Sequence, residues 1–181
     1  MKEVKVFARA GQGAITTVSI LGEALFREGK YAYAFPHFGA ARMGAPMNAF
    51  LRFDSRPVRL RSQVNSPDYI IVVDPTLLES ERCFLNVKSG GIAIVAIRDE
   101  KKLSSPKGIS VFTLPAEKIA MEIIGHPFSN TVLLGAFSKA TKELKLDSIF
   151  KAVEERFIGK PEIAKKNIEA VKRGYEEVKL A

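Results

Sequence analysis

Cysteine and histidine, the residues that most often hold structural metals and clusters, are almost absent from this sequence. Among 181 residues there are one cysteine, Cys83, and two histidines, His37 and His126. A single thiol excludes an internal disulfide, and one thiol with two distant histidines cannot complete a structural zinc site or an iron–sulfur cluster. We therefore expect no metal and no cofactor in this chain, and we expect Cys83 to be a buried, unreactive thiol on a helix.

Long apolar stretches are also missing. The longest uninterrupted ones, residues 69–73 and 92–97, are far shorter than the roughly 20 residues that a membrane-spanning helix needs. The amino terminus alternates charged with apolar residues and has no signal-peptide pattern. These absences predict a cytoplasmic chain without membrane contact. The length and the 46% apolar content fit a single domain over residues 1–181.

Motifs of catalysis are equally scarce. The sequence contains no phosphate loop ending in Gly-Lys-Ser/Thr, no nucleophile elbow, no histidine pair at metal-ligand spacing and no Gly-Asp-Gly of a thiamine diphosphate site. We therefore expect no catalytic residue in this chain, and any redox centre of its assembly should lie on another chain.

Positive charge is in excess, with 28 Lys and Arg against 20 Asp and Glu and a formal net charge of +8. Such a balance favours an acidic partner, such as nucleic acid, an acidic protein or a phosphorylated ligand. The basic residues are scattered, however, and in the last helix they alternate with glutamates at i,i+4 spacing, as in Glu162 with Lys166 and Glu169 with Arg173. Because no basic stripe interleaved with aromatic residues appears, we expect no nucleic-acid partner.

Strand and helix patterns alternate along the chain. The predicted strands cover residues 4–8, 31–35, 47–53, 69–73, 92–97 and 109–112, and the predicted helices cover 15–25, 116–124, 130–140 and 161–178. Gly29 is predicted to end the first helix, Asn130 to cap a later one, and Pro161 to open the last. Continuous apolar runs are typical of strands buried on both faces of a parallel sheet. The prediction is an α/β fold, a single layered Rossmann-like domain whose mostly parallel sheet is flanked by helices.

A glycine turn, Gly11-Gln12-Gly13, follows the first strand and precedes the first helix. Such a turn can hold a phosphate against the amides of a helix N-terminus. The dinucleotide-binding fingerprint also requires a third glycine, where this chain has Thr16, and an acidic residue at the end of the second strand, where residues 33–35 read YAF. The residues alone leave two interpretations open, a phosphate-binding turn or a turn that needs glycine only for its backbone angles.

Several segments together resemble a known family. Residues 10–14 read AGQGA, residues 33–40 read YAFPHFGA, residues 42–46 read RMGAP, and the similarity returns at Arg61-Ser62-Gln63, Pro67-Asp68, Val73-Asp74-Pro75 and residues 130–136, NTVLLGA. In their order and spacing these segments resemble the gamma subunits of pyruvate and 2-oxoisovalerate ferredoxin oxidoreductases. The chain departs from the family's usual residues at Ala10, Ala41 and Met43.

The resemblance implies a non-autonomous subunit of an enzyme that oxidatively decarboxylates a 2-oxoacid, passes the electrons to ferredoxin and forms an acyl-coenzyme A. It implies that thiamine diphosphate, Mg²⁺ and [4Fe-4S] clusters are held by alpha, beta and delta partner subunits, and that coenzyme A is a substrate. Gly44-Ala45-Pro46 resembles the pyruvate and branched-chain types more than the 2-oxoglutarate type. We expect the pyruvate type, with 2-oxoisovalerate as the alternative substrate and a free-standing nucleotide-binding oxidoreductase as the alternative from another class.

The resemblance further implies that the gamma subunit packs over the coenzyme A site. Candidate contacts to coenzyme A or to other subunits are Gly11, Gln12, Gly13, His37, Arg42 and Asn130. Arg42 is the only lysine or arginine in residues 36–46, and its guanidinium suits a phosphate group. An ion pair with the alpha or beta subunit is the alternative role for Arg42.

Overall fold

The structure, a computed structural model, describes residues 1–37, 42–97, 103 and 105–181. Its strands and helices alternate along the chain, as predicted. The strands are β1 (Lys2–Arg9), β2 (Tyr31–His37), β3 (Pro46–Asp54), β4 (Tyr69–Val72), β5 (Gly91–Ala96), β6 (Ile109–Leu114) and β7 (Lys179–Leu180). The helices are α1 (Ala14–Arg27), α2 (Leu77–Ser80), α3 (Ala116–Ile123), α4 (Asn130–Thr141), α5 (Leu146–Arg156) and α6 (Pro161–Glu177).

In the described part of the chain, the strands form a single sheet in the order β2-β3-β1-β4-β5-β6-β7. Strands β1, β4, β5 and β6 pair in parallel, whereas β3 is antiparallel to both of its neighbours and β7 is antiparallel to β6. Strand β2 therefore runs in the same direction as β1. The predicted mostly parallel sheet of an α/β fold is confirmed. The two continuous apolar runs of the sequence form the inner strands β4 and β5.

The two faces of the sheet carry separate cores, because alternate side chains of a strand point to opposite faces. Val4, Val6 and Ala8 of β1 pack in the larger core with α1, α4 and α6, while Phe7 packs in a smaller core with Cys83 and strands β4 to β6. None of the described helices combines enough length with enough apolar character to cross a membrane.

Helices α4 and α6 touch backbone to backbone through two glycines. A Cβ atom added at Gly135 would collide with the carbonyl oxygen of Val171, and one added at Gly174 would collide with the carbonyl oxygen of Val132. Beside this contact, the Thr131 hydroxyl donates a hydrogen bond of 2.9 Å to the side-chain oxygen of Asn167. The glycines thus determine how closely α6 approaches the first turn of α4.

Several predicted boundaries need correction. Asn130 is the first residue of α4 rather than its cap, which is Ser129, and no side chain caps this helix. Cys83 lies in a turn after α2 rather than on a helix. The apolar patterns of the sequence did not predict α2, α5 or β7. The positions of Gly29, whose φ of 79° follows the end of α1, and of Pro161 at the start of α6 are confirmed.

A buried arginine attaches the segment after β3 to the sheet. Arg52 is 1% exposed, and its guanidinium donates to the Glu3 carboxylate at 2.8 Å and to the carbonyl oxygens of Ser62 and Gln63 at 2.5 and 3.0 Å. Burial of an arginine is tolerated only when its charge and its donors are satisfied, as they are here.

Candidate functional site at the end of strand β1

The carboxyl ends of β1 and β4 lie at a switch point of the sheet. From β1 the chain crosses through α1 to β2 on one side, whereas from β4 it continues through α2 to β5 on the other side. In open α/β sheets, ligands bind in the crevice that such diverging connections leave. Here the crevice is bordered by residues 11–13, which follow β1, and by Asp74, which follows β4.

The glycine turn requires its glycines for backbone conformation. Gly11 and Gly13 have φ values of 100° and 81°, in the left-handed region that disfavours residues with a Cβ atom. A Cβ at Gly13 would also lie 2.9 Å from Cγ of Asn130, and one at Gly11 would lie 2.9 Å from Sδ of Met43. The turn is therefore closely packed against the first residue of α4 on one side and against Met43 on the other.

Gln12 points into the protein and holds the turn to the end of β4. Its side-chain oxygen accepts a hydrogen bond of 2.7 Å from the Arg9 amide, and its side-chain nitrogen donates one of 3.0 Å to Asp74 Oδ2. Both ends of the Gln12 amide are thus used within the chain. This side chain therefore supports the turn.

Asp74 is the centre of this network and is only 4% exposed. Besides the bond from Gln12, it accepts hydrogen bonds from Arg9 Nε at 3.1 Å and from the hydroxyl of Thr76 at 2.7 Å. Burial acts to raise the pKa of Asp74, but the hydrogen bonds from Thr76 and Gln12 and the charge of Arg9 outweigh it, so that the pKa lies below its ordinary value. The carboxylate therefore stays ionised and serves as an acceptor, not as a proton donor.

A small cavity adjoins this network. Its volume is about 140 Å³, and Gln12, Asp74 and Ser129 contribute to its polar wall. We call it the Gln12 cavity.

A second cavity of about 520 Å³ lies on the other side of the turn. It is lined by Gly11, Gly13 and Asn130, which the sequence predicted as contacts, and by Arg156 and Lys166, which it did not. We call it the Asn130 cavity. Arg156 is the last residue of α5, and Lys166 lies on α6. Two helices that are far from the glycine turn in sequence thus bring positive charge toward it.

Arg42 begins a turn that is joined to the glycine turn through backbone hydrogen bonds. The Ala45 amide donates to the Arg42 carbonyl at 3.0 Å, and the Gly44 amide donates to the Ala10 carbonyl at 3.1 Å. The Arg42 side chain is exposed, and within the described residues its guanidinium has no hydrogen bond or ion pair. The preceding residues 38–41, which carry part of the resemblance and the departure at Ala41, lie outside the described residues.

His37 is not part of either cavity. It ends β2, where it pairs with Asn48 of β3, so that one strand separates it from β1. The Gln63 amide nitrogen lies 2.9 Å from its ring nitrogen Nδ1, and the ring is 6.2 Å from that of Phe50. The structure thus brings together Gly11, Gly13 and Asn130 and leaves His37 apart from them.

In the described part of the chain, no group of three or more His, Cys, Asp or Glu residues could hold a metal ion. Burial raises the pKa of the Cys83 thiol to about 12, and the thiol donates to the Leu77 carbonyl at 3.3 Å. The prediction of a buried thiol is confirmed.

Comparison with known proteins identifies the family of this α/β domain. Residues 3–177 match the pyruvate ferredoxin/flavodoxin oxidoreductase family. The chain belongs to this family.

Relatives over the full length are gamma subunits. The chain is 41% identical to the pyruvate/ketoisovalerate oxidoreductases common subunit gamma of Pyrococcus furiosus, covering 99% of this chain and 98% of that one. It is 42% identical to pyruvate synthase subunit PorC of Methanothermobacter thermautotrophicus, covering 98% and 96%. The crystal structure of pyruvate oxidoreductase subunit PorC from Thermotoga maritima superposes with a TM-score of 0.87 at 34% identity, covering 99% and 98%. The resemblance to gamma subunits is confirmed.

Proposed function

We propose that this chain is the gamma subunit of a pyruvate:ferredoxin oxidoreductase, or pyruvate synthase. The complex converts pyruvate and coenzyme A to acetyl-coenzyme A and CO₂ and passes the electrons to ferredoxin. The observation that carries the proposal is the end-to-end similarity to PorC subunits in both sequence and structure. Because the matched relatives are subunits along their whole length, this similarity favours a subunit over a free-standing nucleotide-binding oxidoreductase.

A second substrate is favoured by one specific finding. The Pyrococcus furiosus relative is named as a subunit common to pyruvate and ketoisovalerate oxidoreductases. A gamma subunit without catalytic residues can serve both, since substrate choice then belongs to the other subunits. A branched-chain 2-oxoacid, 2-oxoisovalerate, is therefore our alternative substrate for the assembled enzyme.

Cofactors are assigned to the partner subunits. The described residues fit neither an iron–sulfur cluster, which needs several cysteine thiolates, nor a metal-bound diphosphate, which needs a group of carboxylate ligands. In the proposed complex the alpha, beta and delta subunits hold thiamine diphosphate, Mg²⁺ and the [4Fe-4S] clusters.

The proposed role of this chain is to bind and cover coenzyme A. Arg42 supports this role because its exposed guanidinium has no partner within the described residues and can form paired, charge-assisted hydrogen bonds with phosphate. Gly11, Gly13 and Asn130 support it through the cavity that they line. An ion pair between Arg42 and the alpha or beta subunit remains the alternative.

Reconstitution tests the proposed function. The full chain is purified alone and in complex with co-expressed alpha, beta and delta subunits, and pyruvate- and coenzyme A-dependent reduction of ferredoxin or a dye is measured. We expect the chain alone to be colourless and inactive, and the complex to lose activity when this chain is left out. Activity of the chain alone, or full activity of the other subunits without it, would contradict the proposal.

A further inference from the structure

Strand β2 forms one edge of the sheet and is long for an edge strand. It spans Tyr31–His37 and pairs continuously with β3, while its other side has no neighbouring strand in the described part of the chain. The opposite edge, β7, has only two residues, and one of them is Lys179. Short length and lysine are two ways in which proteins protect a sheet edge from further strand pairing. Residues 31–35 of β2 have neither protection.

Pro36 shows which backbone groups of β2 face outward. Proline has no N–H group, so in the regular ladder with β3 its nitrogen must lie on the outer side of β2. Backbone groups point the same way at every second residue of a strand, so the N–H and C=O groups of Ala32 and Ala34 also face outward. Among the described residues, these groups make no hydrogen bond outside the ladder. The edge therefore offers donors and acceptors to another strand.

The sequence of this edge favours strand pairing. Residues 31–35 read YAYAF, with three aromatic residues, no charge and no proline. No residue of β2 is buried, and Tyr31 is exposed. An uncharged aromatic strand at an open edge is a site of aggregation unless another segment covers it. We therefore expect another segment to cover this edge in the functioning protein.

Positive charge borders the same edge. The guanidinium carbon of Arg61 lies 3.8 Å from the centre of the Tyr33 ring. Arg61 is exposed, and within the described residues its guanidinium donates to the Val58 carbonyl but forms no ion pair. Residues 55–67, which include Arg61, contain three arginines and no aspartate or glutamate, and residues 31–37 also contain no acidic residue. The surface beside β2 is therefore positive, and neither segment supplies a carboxylate to balance it.

The charge of the chain decides between two occupants of the edge. A second copy would bring β2 against β2 and the two Arg61 side chains with it, and each chain carries a net charge of +8, so like charges would face each other. A partner segment with aspartate or glutamate residues would instead pair with Arg61. Tyrosine and arginine, as in the Tyr33–Arg61 contact, are also enriched among the residues that dominate protein interfaces. Charge complementarity thus favours an acidic partner segment.

We propose that the outer edge of β2 is the docking site for an extended, acidic segment of a partner subunit. The segment adds a strand to the sheet by hydrogen bonding to Ala32 and Ala34, and one of its carboxylates lies against Arg61. Such strand addition takes its affinity from main-chain hydrogen bonds and its specificity from neighbouring side chains. The assignment rests on the proposed function, because it takes the partner from the other subunits of that complex.

Hydrogen–deuterium exchange tests the edge directly. Amide exchange is followed by mass spectrometry in the full chain alone and in its complex with co-expressed alpha, beta and delta subunits. We expect the amides of Ala32 and Ala34 to exchange rapidly in the chain alone and roughly tenfold or more slowly in the complex, because a hydrogen-bonded amide is protected. Strand β4, which lies inside the sheet, is the internal reference and should be protected in both samples.

Two variants separate backbone pairing from charge. Ala34→Pro removes an outward N–H but leaves the ladder with β3, and Arg61→Glu reverses the charge beside Tyr33. Each should lower the share of this chain that co-purifies with the other subunits by roughly tenfold. Lys151→Glu is the matched control, since it reverses an exposed charge on α5, which packs on the opposite face of the sheet, and it should assemble like wild type. Far-UV circular dichroism verifies that each variant is folded.

Protection of β2 in the complex, together with weaker assembly of both variants, supports the docking site. An active complex in which the β2 amides exchange as fast as in the free chain overturns it and leaves the proposed function in place, as does unchanged assembly of both variants. A free chain that light scattering finds to be dimeric, with β2 already protected, also overturns it, since the occupant is then a second copy. Wild-type subunits that do not assemble contradict the proposed function and this docking site together.

Discussion

The glycine turn separates two cavities that differ in how their polar groups are satisfied. In the wall of the Gln12 cavity, Asp74 accepts hydrogen bonds from Gln12, Arg9 and Thr76. In the wall of the Asn130 cavity, the Asn130 amide and the Arg156 guanidinium have no partner among the described residues. A polar network whose hydrogen bonds are made within the chain stabilises a fold, whereas polar groups without hydrogen-bond partners beside a cavity are typical of a binding site. One turn thus serves both purposes, through different residues.

The difference also follows from the chain's topology. The Gln12 side is built from the ends of two adjacent parallel strands, β1 and β4, which are fixed by the sheet. The Asn130 side is built from the ends of helices, whose first amides and last carbonyls are not satisfied within the helix. Helix N-termini leave amide donors available to a ligand. At the ends of β1 and β4, in contrast, the Asp74 carboxylate accepts hydrogen bonds from the donors of Arg9, Gln12 and Thr76.

The largest expected effect tests what positions the wall of the Asn130 cavity. Gly135→Ala places a methyl group against the Val171 carbonyl, so α4 and α6 must separate. We expect unfolding in urea to show a loss of roughly 3 kcal/mol or more, because the obstacle is backbone that cannot move aside. Gly22→Ala is the control, since its methyl group would meet side chains only at 3.6 Å or more. A helical alanine should then stabilise the fold by up to about 1 kcal/mol. Equal effects of the two substitutions would contradict the close helix contact.

A side chain at Gly13 tests the contact between the turn and Asn130. Gly13→Val combines a φ of 81° with a clash against Asn130, and we expect a stability loss of about 2 kcal/mol and a strong loss of activity in the assembled complex. Gly90→Val is matched in backbone angle, with a φ of 79°, but nothing lies within 4 Å of its added Cβ. It should cost less stability, because it adds no clash, and leave activity intact. If Gly13→Val also retains full activity, the turn is ordinary scaffold.

The pH dependence of folding stability tests the role of Asp74. Its pKa is lower in the folded protein than the roughly 3.9 of an unfolded chain. The folding stability that the ionised Asp74 carboxylate contributes is therefore present above about pH 4 and is lost as the pH falls through the folded pKa. Asp74→Asn keeps the shape but loses the charge, and we expect it to cost about 2 kcal/mol at pH 7. In urea titrations from pH 7 to pH 3, the difference between wild type and variant should shrink. A difference that stays constant to pH 3 would contradict this assignment.

Arg42 tests whether the turn at residues 42–45 also faces the ligand. In the assembled complex, Arg42→Ala should raise the Michaelis constant for coenzyme A by roughly tenfold, which equals about 1.4 kcal/mol, and leave that for the oxoacid almost unchanged. Arg59→Ala, which removes the same charge from another exposed position, should change neither constant. Dissociation of the subunits, or equal losses with both substrates, would assign Arg42 to the interface instead.

The regular elements could be predicted from the sequence because periodicity reflects burial. Continuous apolar runs revealed β4 and β5, and the helical spacing around Leu21 and Leu25 revealed α1. The two-residue strand β7 and the single turn of α2 are too short to leave a periodic signal. The location of the chain in the cytoplasm stays a prediction.

The site could be predicted only in part. Glycine and asparagine next to element ends are visible in a sequence, and Gly11, Gly13 and Asn130 do meet around one cavity. Arg156 and Lys166 looked like ordinary surface charges, because nothing local shows that α5 and α6 turn them toward β1. The support that Gln12 gives the turn could not be predicted, because its partner Asp74 is 62 residues away in sequence. Long-range pairing of this kind requires the fold.

The most direct test of the difference between the two cavities is thermal unfolding of Gln12→Glu and Asn130→Asp with and without inorganic diphosphate. Gln12→Glu places a second carboxylate against Asp74, and we expect the melting temperature to fall by roughly 4–8 °C for a loss of about 2 kcal/mol. Asn130→Asp places a negative charge at the start of α4, where the helix dipole favours it, so its melting temperature should stay the same or rise slightly. Diphosphate should stabilise the wild type and Gln12→Glu but not Asn130→Asp. The account is contradicted if Asn130→Asp unfolds at a lower temperature than Gln12→Glu, or if diphosphate stabilises Asn130→Asp as much as the wild type.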